Sequence, residues 1–294
     1  MRVFIAGGTG FVGSHLVAAL RGKGHDLRLL VHRRISGAEI GIDQVEGDVV
    51  CQETFAQAVA GCDAVINLVG IIREFPSRGV TFDRLHVQAT ASMLEVTRKA
   101  GIRRYLQMSA LGTRSGAVSR YHQTKFRAEE LVRASGLDAT ILRPSLIYGP
   151  GDAFVNMLAG QLRLVPVMPV IGSGNYRLQP IHVEDVARCF AQALEMPETI
   201  GHSYGLCGND RLSYMDLLDA VASAMGTRVP FKPHLPLGLM KMLIPVLQRV
   251  PYFPITMDQL QMLIEENICD GSWKTVFGFE PRDFRKEIQS YLGS

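Results

Sequence analysis

Along the first half of the chain, short apolar runs alternate with longer stretches in which apolar residues recur every three or four positions. The runs fall at 2–6, 27–32, 64–69, 104–108 and 139–143, and the longer stretches at 11–23, 53–60, 82–100 and 121–135. The runs have the character of strands and the longer stretches that of helices. Their alternation predicts successive β–α–β units, and with them a parallel sheet wound right-handedly. The run Ala64-Val65-Ile66-Asn67-Leu68-Val69 is apolar on both faces, as befits a strand covered by helices on each side.

Past Gly149-Pro150-Gly151-Asp152 the pattern loosens into Gly- and Pro-rich turns, a further strand, and a helix beginning near Glu184. From about 209 onward it is mostly helical with Pro interruptions. The predicted fold is therefore α/β. A doubly wound parallel sheet (a Rossmann arrangement) occupies 1–160, with 176–208 returning to it, and a smaller, mostly helical lobe occupies 209–294. The most apolar stretch, 234–255, is broken by Lys241, Gln248, Arg249 and several prolines. A membrane span needs roughly 20 uninterrupted apolar residues, so none is expected. The stretch is expected to be the second lobe's own core. The alternative is an exposed face that docks on a membrane complex, with Lys241 and Arg249 near lipid headgroups.

Between the first run and the first helical stretch lie Gly7, Gly8, Gly10 and Gly13. A tight β–α turn needs one glycine, not four. Glycines in this strand-to-helix setting let a pyrophosphate approach the main chain, where the helix N-terminus offers free N–H groups and partial positive charge. The segment Gly7, Thr9, Gly10, Phe11, Val12 and Gly13 is accordingly the candidate phosphate loop. About 20 residues on, an acid would grip the ribose 2′-hydroxyl of NAD. This chain has His32, Arg33 and Arg34 there and no carboxylate, which favours the 2′-phosphate of NADP(H), with NAD(H) as the alternative. Asp48, beside Val49, is placed to accept from an adenine amino group, and Asn67 and Gly70 end the next strand at the same edge.

Composition narrows the picture further. With 47% hydrophobic residues in 294, a large core can form, and a net charge of +3 without a dense basic cluster speaks against nucleic acid. Five cysteines, an odd number without C-x-x-C spacing, argue against a disulfide framework or a zinc site and for a reducing compartment. The chain enters its first strand without a signal-like segment, so a cytoplasmic protein is expected, peripheral at the inner face of the membrane if it docks there. No metal site is expected.

Six segments then carry a resemblance. They are Gly7 to Leu16, Gly47-Asp48-Val49, 85–110, Tyr121-His122-Gln123-Thr124-Lys125, Leu142 to Asp152, and 179–187. Together they resemble the extended form of the short-chain dehydrogenase/reductase superfamily, of the epimerase/dehydratase type. They are similar in particular to an atypical group that includes the nucleotide-binding alpha-subcomplex subunit 9 of respiratory complex I. The resemblance implies that Tyr121 and Lys125 are the catalytic Tyr-x-x-x-Lys pair. Residues four apart share a helix face. The lysine would lower the tyrosine pKa and hold the nicotinamide ribose. The resemblance also places Pro144 beside the cofactor.

The family's catalytic hydroxyl position falls on Ala110, leaving Ser109 as the candidate and Thr113 behind it, and the family's helix Asn falls on His86. Arg143 reads as a structural anchor. Tyr148 and Asp152 border the expected cleft, and Glu184 and Asp185 fit a helix start. The expected function is an NADPH-dependent oxidoreductase of a carbonyl or quinone-like compound, linked to complex I-type proteins. One alternative is a non-catalytic nucleotide-holding accessory or assembly protein of a respiratory membrane complex. The other is a nucleotide-sugar epimerase or dehydratase.

Overall fold

A computed structural model describes residues 1–34, 42–165, 167–229, 231–248, 253 and 255–293. The chain first builds β1 (Arg2–Ala6), α1 (Phe11–Gly22), β2 (Asp26–Val31), β3 (Ile42–Glu46) and α2 (Ala56–Val59). Next come β4 (Ala64–Asn67), α3 (Ala89–Lys99), β5 (Arg104–Met108), α4 (Arg120–Ala134) and β6 (Asp138–Pro144). Then follow β7 (Ile147–Tyr148), α5 (Val155–Leu164), β8 (Val170–Ile171), β9 (Arg177–Leu178), β10 (Ile181–His182), α6 (Val183–Ala193) and β11 (Ser203–Leu206). The last elements are β12 (Leu212–Ser213), α7 (Tyr214–Ala224), β13 (His234–Leu235), α8 (Leu237–Leu247), α9 (Met257–Ile264), α10 (Trp273–Phe277) and α11 (Phe284–Leu292).

The chain divides into two compact units, Met1–Pro144 with Val183–Gly205, and Ser145–His182 with Leu206–Ser294. The dividing points differ from the expected 1–160, 176–208 and 209–294. Residues 145–182 pack with the second unit because Tyr148, Val155, Leu158 and Val170 share a core with Leu217, Val221 and Phe284.

In the first unit the strands run β11-β6-β5-β4-β1-β2-β3, and β1 to β6 pair in parallel. Chain order reverses at β1, which sits between β2 and β4. In such sheets the C-terminal strand ends on either side of this reversal leave a crevice for ligands. Val3, Phe4 and Ile5 of β1 and Ala64, Val65 and Ile66 of β4 are fully buried, as strands covered on both faces should be. Helix α1 buries Val12, Leu16, Val17 and Leu20 on one face. Strand β3 was not among the predicted runs. It mixes Ile42 and Val45 with Asp43, Gln44 and Glu46, and it is half-exposed at the sheet edge, so no apolar run marks it.

Two expectations fail in the second unit. Cys207 and Cys269 form a disulfide, 62 residues apart in sequence, so the argument for a reducing compartment loses its footing. Local cysteine spacing does not register a pair brought together by tertiary contacts. Gln179 accepts from the Cys269 N–H at 3.0 Å and donates to the Gly208 carbonyl at 2.6 Å, fixing both cysteine segments. The other failure concerns the apolar stretch 234–255, of which 249–252 and 254, Arg249 among them, lie outside the described residues. Within it α8 does not serve as a core helix, since it buries only Ile244.

Candidate functional site

The loop after β1 is shaped by two glycines in particular. Gly7 has φ +83, a conformation side chains disfavour, and a Cβ there would press on Leu68 at 3.1 Å. A Cβ on Gly13 would collide with the Gly7 carbonyl oxygen and the Gly8 backbone. The loop closes through Gly10 N–H to the Gly7 carbonyl at 3.1 Å, and α1 begins with Ser14 N–H on the Gly10 carbonyl at 2.9 Å. The N–H groups of the first turn have no intrahelical acceptor. No side chain caps this end, and no acidic residue occupies the first turn. A bare helix start facing the reversal point of the sheet fits an anionic pyrophosphate, with Thr9 exposed and Phe11 half-buried beside it.

His32, Arg33 and Arg34 are exposed at the end of β2. Asp48 is engaged by the protein itself, accepting from Arg84 at 2.7 Å and from the Val50 N–H at 3.1 Å. Val49 beside it is buried. Asn67 is wholly buried and committed to the core. It donates to Thr90 and Gln107 at 3.4 and 3.2 Å and accepts from the Val69 N–H at 3.1 Å, so it braces the end of β4 instead of offering its amide to a ligand. Pro144 is buried at the end of β6, its carbonyl accepting from the Leu111 N–H at 2.9 Å.

Helix α4 carries the catalytic candidates. Ser119 caps it by accepting the His122 N–H at 3.3 Å. Tyr121, Lys125 and Glu129 follow at four-residue spacing, and all three are buried. Lys125 Nζ donates to the carbonyls of Val69 at 3.4 Å and Met108 at 3.3 Å, where the chain leaves β4 and β5. A Cβ on Gly70 would come within 2.8 Å of that ammonium, so the glycine makes room for it. Burial pushes the Lys125 pKa down to about 8, with Glu129 opposing. Glu129, wholly buried, pairs with Arg133 of its own helix and with Arg143 of β6, which confirms Arg143 as an anchor.

Burial pushes the Tyr121 pKa up to about 12, which corrects the expectation that the lysine would lower it. The hydroxyl thus stays protonated at neutral pH. Tyr121 packs edge-on against Phe82, His86 and His122 at 5.8, 5.3 and 5.1 Å. His86 sits in a π-helical turn, Asp83–Gln88, that runs into α3. Such turns recur at functional sites. Its Nδ1 lies 2.9 Å from Thr124 Oγ1, and its Nε2 is within 3.2 Å of the Ile71 N–H. Burial first, then the Lys125 charge, pushes its pKa down to about 2, so the ring is neutral. It pins the loop after β4 to α4.

Ser109 is buried, with its Oγ 3.5 Å from Thr113 Oγ1, which in turn lies 3.4 Å from His122 Nδ1. Thr124 and His122 were not singled out from the sequence, although both lie inside the Tyr-x-x-x-Lys segment. Beyond this unit, Asp152 accepts the N–H groups of Phe154 and Val155 at 2.8 and 2.6 Å and so starts α5 as a cap. Glu184 and Asp185 fall in the first turn of α6. Among the described residues no group of His, Cys, Asp or Glu could hold a metal.

Comparison with known proteins bears on the family and the fold. The model of the NAD dependent epimerase/dehydratase family matches residues 3–207. A ceramide reductase of Caulobacter vibrioides is 31% identical over 229 residues, 77% of this chain and 71% of that protein. The mitochondrial NADH dehydrogenase (ubiquinone) 1 alpha subcomplex subunit 9 of Arabidopsis thaliana is 30% identical over 225 residues, 73% of this chain but only 56% of the relative. A dTDP-glucose 4,6-dehydratase from Streptomyces venezuelae, solved with NAD, superposes with a TM-score of 0.77 over 99% of this chain and 96% of its own. At 19% identity that likeness concerns the fold alone.

Proposed function

The chain belongs to the NAD-dependent epimerase/dehydratase family, and on that premise we propose that it is an NADP(H)-dependent reductase of a carbonyl or quinone-like compound. The observation that carries this reading is the buried pair on α4, a protonated Tyr121 one turn from Lys125. The nicotinamide, when bound, supplies a hydride. The loop from Gly7 to Gly13 and the first turn of α1 hold the pyrophosphate, and Arg33 and Arg34 supply charge and forked donors for a 2′-phosphate.

Lys125 has three donors, two of them on carbonyls, and the third serves the ribose hydroxyls. Tyr121 gives its proton to the substrate oxygen as that oxygen gains charge, and the Lys125 ammonium stabilises the phenolate left behind. Ser109, with Thr113 behind it, is the hydroxyl that orients the substrate oxygen. A tyrosine held at about 12 is fully protonated at neutral pH, so the proton that reduction needs is in place, and Lys125 must stabilise the phenolate for that proton to leave.

Ala110 and the neutral, fully engaged His86 favour a second reading, a nucleotide-holding accessory protein without turnover. A respiratory membrane complex as partner, and a place at the inner face of its membrane, belong to that reading through the likeness to the Arabidopsis subunit. The test combines mass spectrometry of ligand released from the purified protein with NADPH and NADH oxidation across a carbonyl and quinone panel. The reductase reading expects bound NADP(H) and turnover with at least one class. Bound nucleotide with no turnover would leave the accessory reading, and no nucleotide affinity would overturn both.

A further inference from the structure

Helix α8 presents an apolar stripe outward. Leu239, Met242, Leu243 and Val246 follow the i, i+3, i+4, i+7 spacing of one helix face, and they are 44, 67, 38 and 65% exposed. In a globular unit such a stripe faces the core; here the core receives only Ile244. A second apolar group leads into it. Leu164 and Val165, at the end of α5, with Val167, Val229 and Phe231 are all exposed, and a bridge pairs Val167 with Phe231. From there β13 runs beside β8 and the chain enters α8.

The sequence segments that carry these side chains hold charge of one sign, with Lys232 and Arg177 paired to Asp219 and Glu266 of neighbouring segments. Residues 153–183 and 220–257 contain no Asp or Glu, while Arg163, Arg177, Arg228, Lys232, Lys241 and Arg249 fall within them. Arg163, Arg228 and Lys241 are exposed. Monomeric proteins rarely leave so many large apolar side chains together in water. The exposed cations Arg163, Arg228 and Lys241 have no carboxylate in their own segments, a charge that a negatively charged bilayer surface complements. No helix among the described residues is long and apolar enough to cross a membrane, so the contact is at the surface.

We propose that α8, together with Leu164, Val165, Val167, Val229 and Phe231, is a docking surface for an anionic phospholipid bilayer. The Leu239–Met242–Leu243–Val246 stripe lies in the interface and Lys241 reaches the headgroups. The inference is independent of whether the α4 pair turns over a substrate, because it concerns the other unit and is read out without activity.

The test is flotation of the full chain with phosphatidylcholine vesicles and with the same vesicles carrying phosphatidylglycerol, across a salt series. The chain is expected to bind the anionic vesicles about tenfold or more tightly, with salt weakening but not abolishing the binding. Met242→Glu/Val246→Glu should reduce that binding about tenfold or more, and Lys241→Gln about fivefold. Both changes are on exposed side chains, so NADPH affinity and thermal stability should match the parent chain. Three results would overturn the proposal. One is no preference for anionic vesicles; another is binding indifferent to Met242→Glu/Val246→Glu. The third is a parent chain that dimerises and whose dimer, not its vesicle binding, is lost in that variant.

Discussion

At the phosphate end of the candidate site the groups offered to a ligand are backbone N–H groups, shaped by glycines at 7 and 13. At the end proposed to face the nicotinamide they are buried side chains, Tyr121 packed against His86 and Lys125 donating to the carbonyls of Val69 and Met108. The first end works by leaving space and exposing a helix dipole, so its chemistry does not titrate. The second works by burying ionisable groups, so its chemistry is set by how far burial moves each pKa. One end should break under an added methyl group, and the other under a change of protonation or of a single functional atom.

The sharpest break is expected from Gly13→Ala. Its Cβ would meet the Gly7 oxygen and Gly8, and the loop cannot keep both its shape and the extra atom. Calorimetric titration should show NADPH affinity lowered by about a hundredfold, with a lower melting temperature.

Lys125→Met comes next, with affinity lowered by about tenfold as a charged donor is removed. It also has a signature in pH. Burial holds Lys125 at about 8 against an ordinary 10.5, so between those values the unfolded chain binds more protons than the folded one. This lysine therefore costs stability in full below about pH 8, and the cost is relieved as pH rises toward 10.5. Unfolding curves of variant and parent should differ in a way that changes by roughly 3 kcal/mol across that window, the variant's advantage shrinking with rising pH.

Arg33→Ala and Arg34→Ala should each weaken NADPH by about fivefold to tenfold at low salt and leave NADH within about twofold. Equal loss for both nucleotides would remove the 2′-phosphate assignment. His86→Ala should change affinity least, by a few-fold, while lowering stability by about 2 kcal/mol as the Ile71 and Thr124 contacts go. In the parent chain His86 stays neutral down to about pH 2. Its contribution is therefore fully present above the ordinary 6.5 and is lost progressively as pH falls below it, a slope the variant should lack.

The glycine turn after β1 was legible in the sequence because steric demands write themselves into residue identity: only glycine satisfies φ +83 at position 7 or the packing at 13. The alternation of apolar runs likewise marked β1, β2, β4, β5 and β6, whose buried apolar stretches stand out despite polar residues such as Arg28, Gln107 and Arg143. Strand β3 escaped because an edge strand with one wet face carries a mixed pattern. The Tyr121–Lys125 pair came from the family resemblance, and its electrostatics were not legible in the sequence. Burial depends on what folds over α4, and it reversed the direction expected for Tyr121. Tyr121, Lys125 and Glu129 at four-residue spacing share the face of α4 that is buried, while Arg133, one turn further on, is exposed. The disulfide and the exposed face of α8 depend on tertiary neighbours, which no local spacing reports.

The measurement that bears most directly on the central claim is single-turnover NADPH oxidation by Tyr121→Phe, with nucleotide affinity determined on the same protein. The change removes one hydroxyl and leaves the ring among Phe82, His86 and His122. If Tyr121 is the proton donor and the glycine loop holds the nucleotide independently, affinity stays within about twofold while the reduction step slows by about a hundredfold or more. Reduction at the parent rate, with affinity unchanged, would contradict the account.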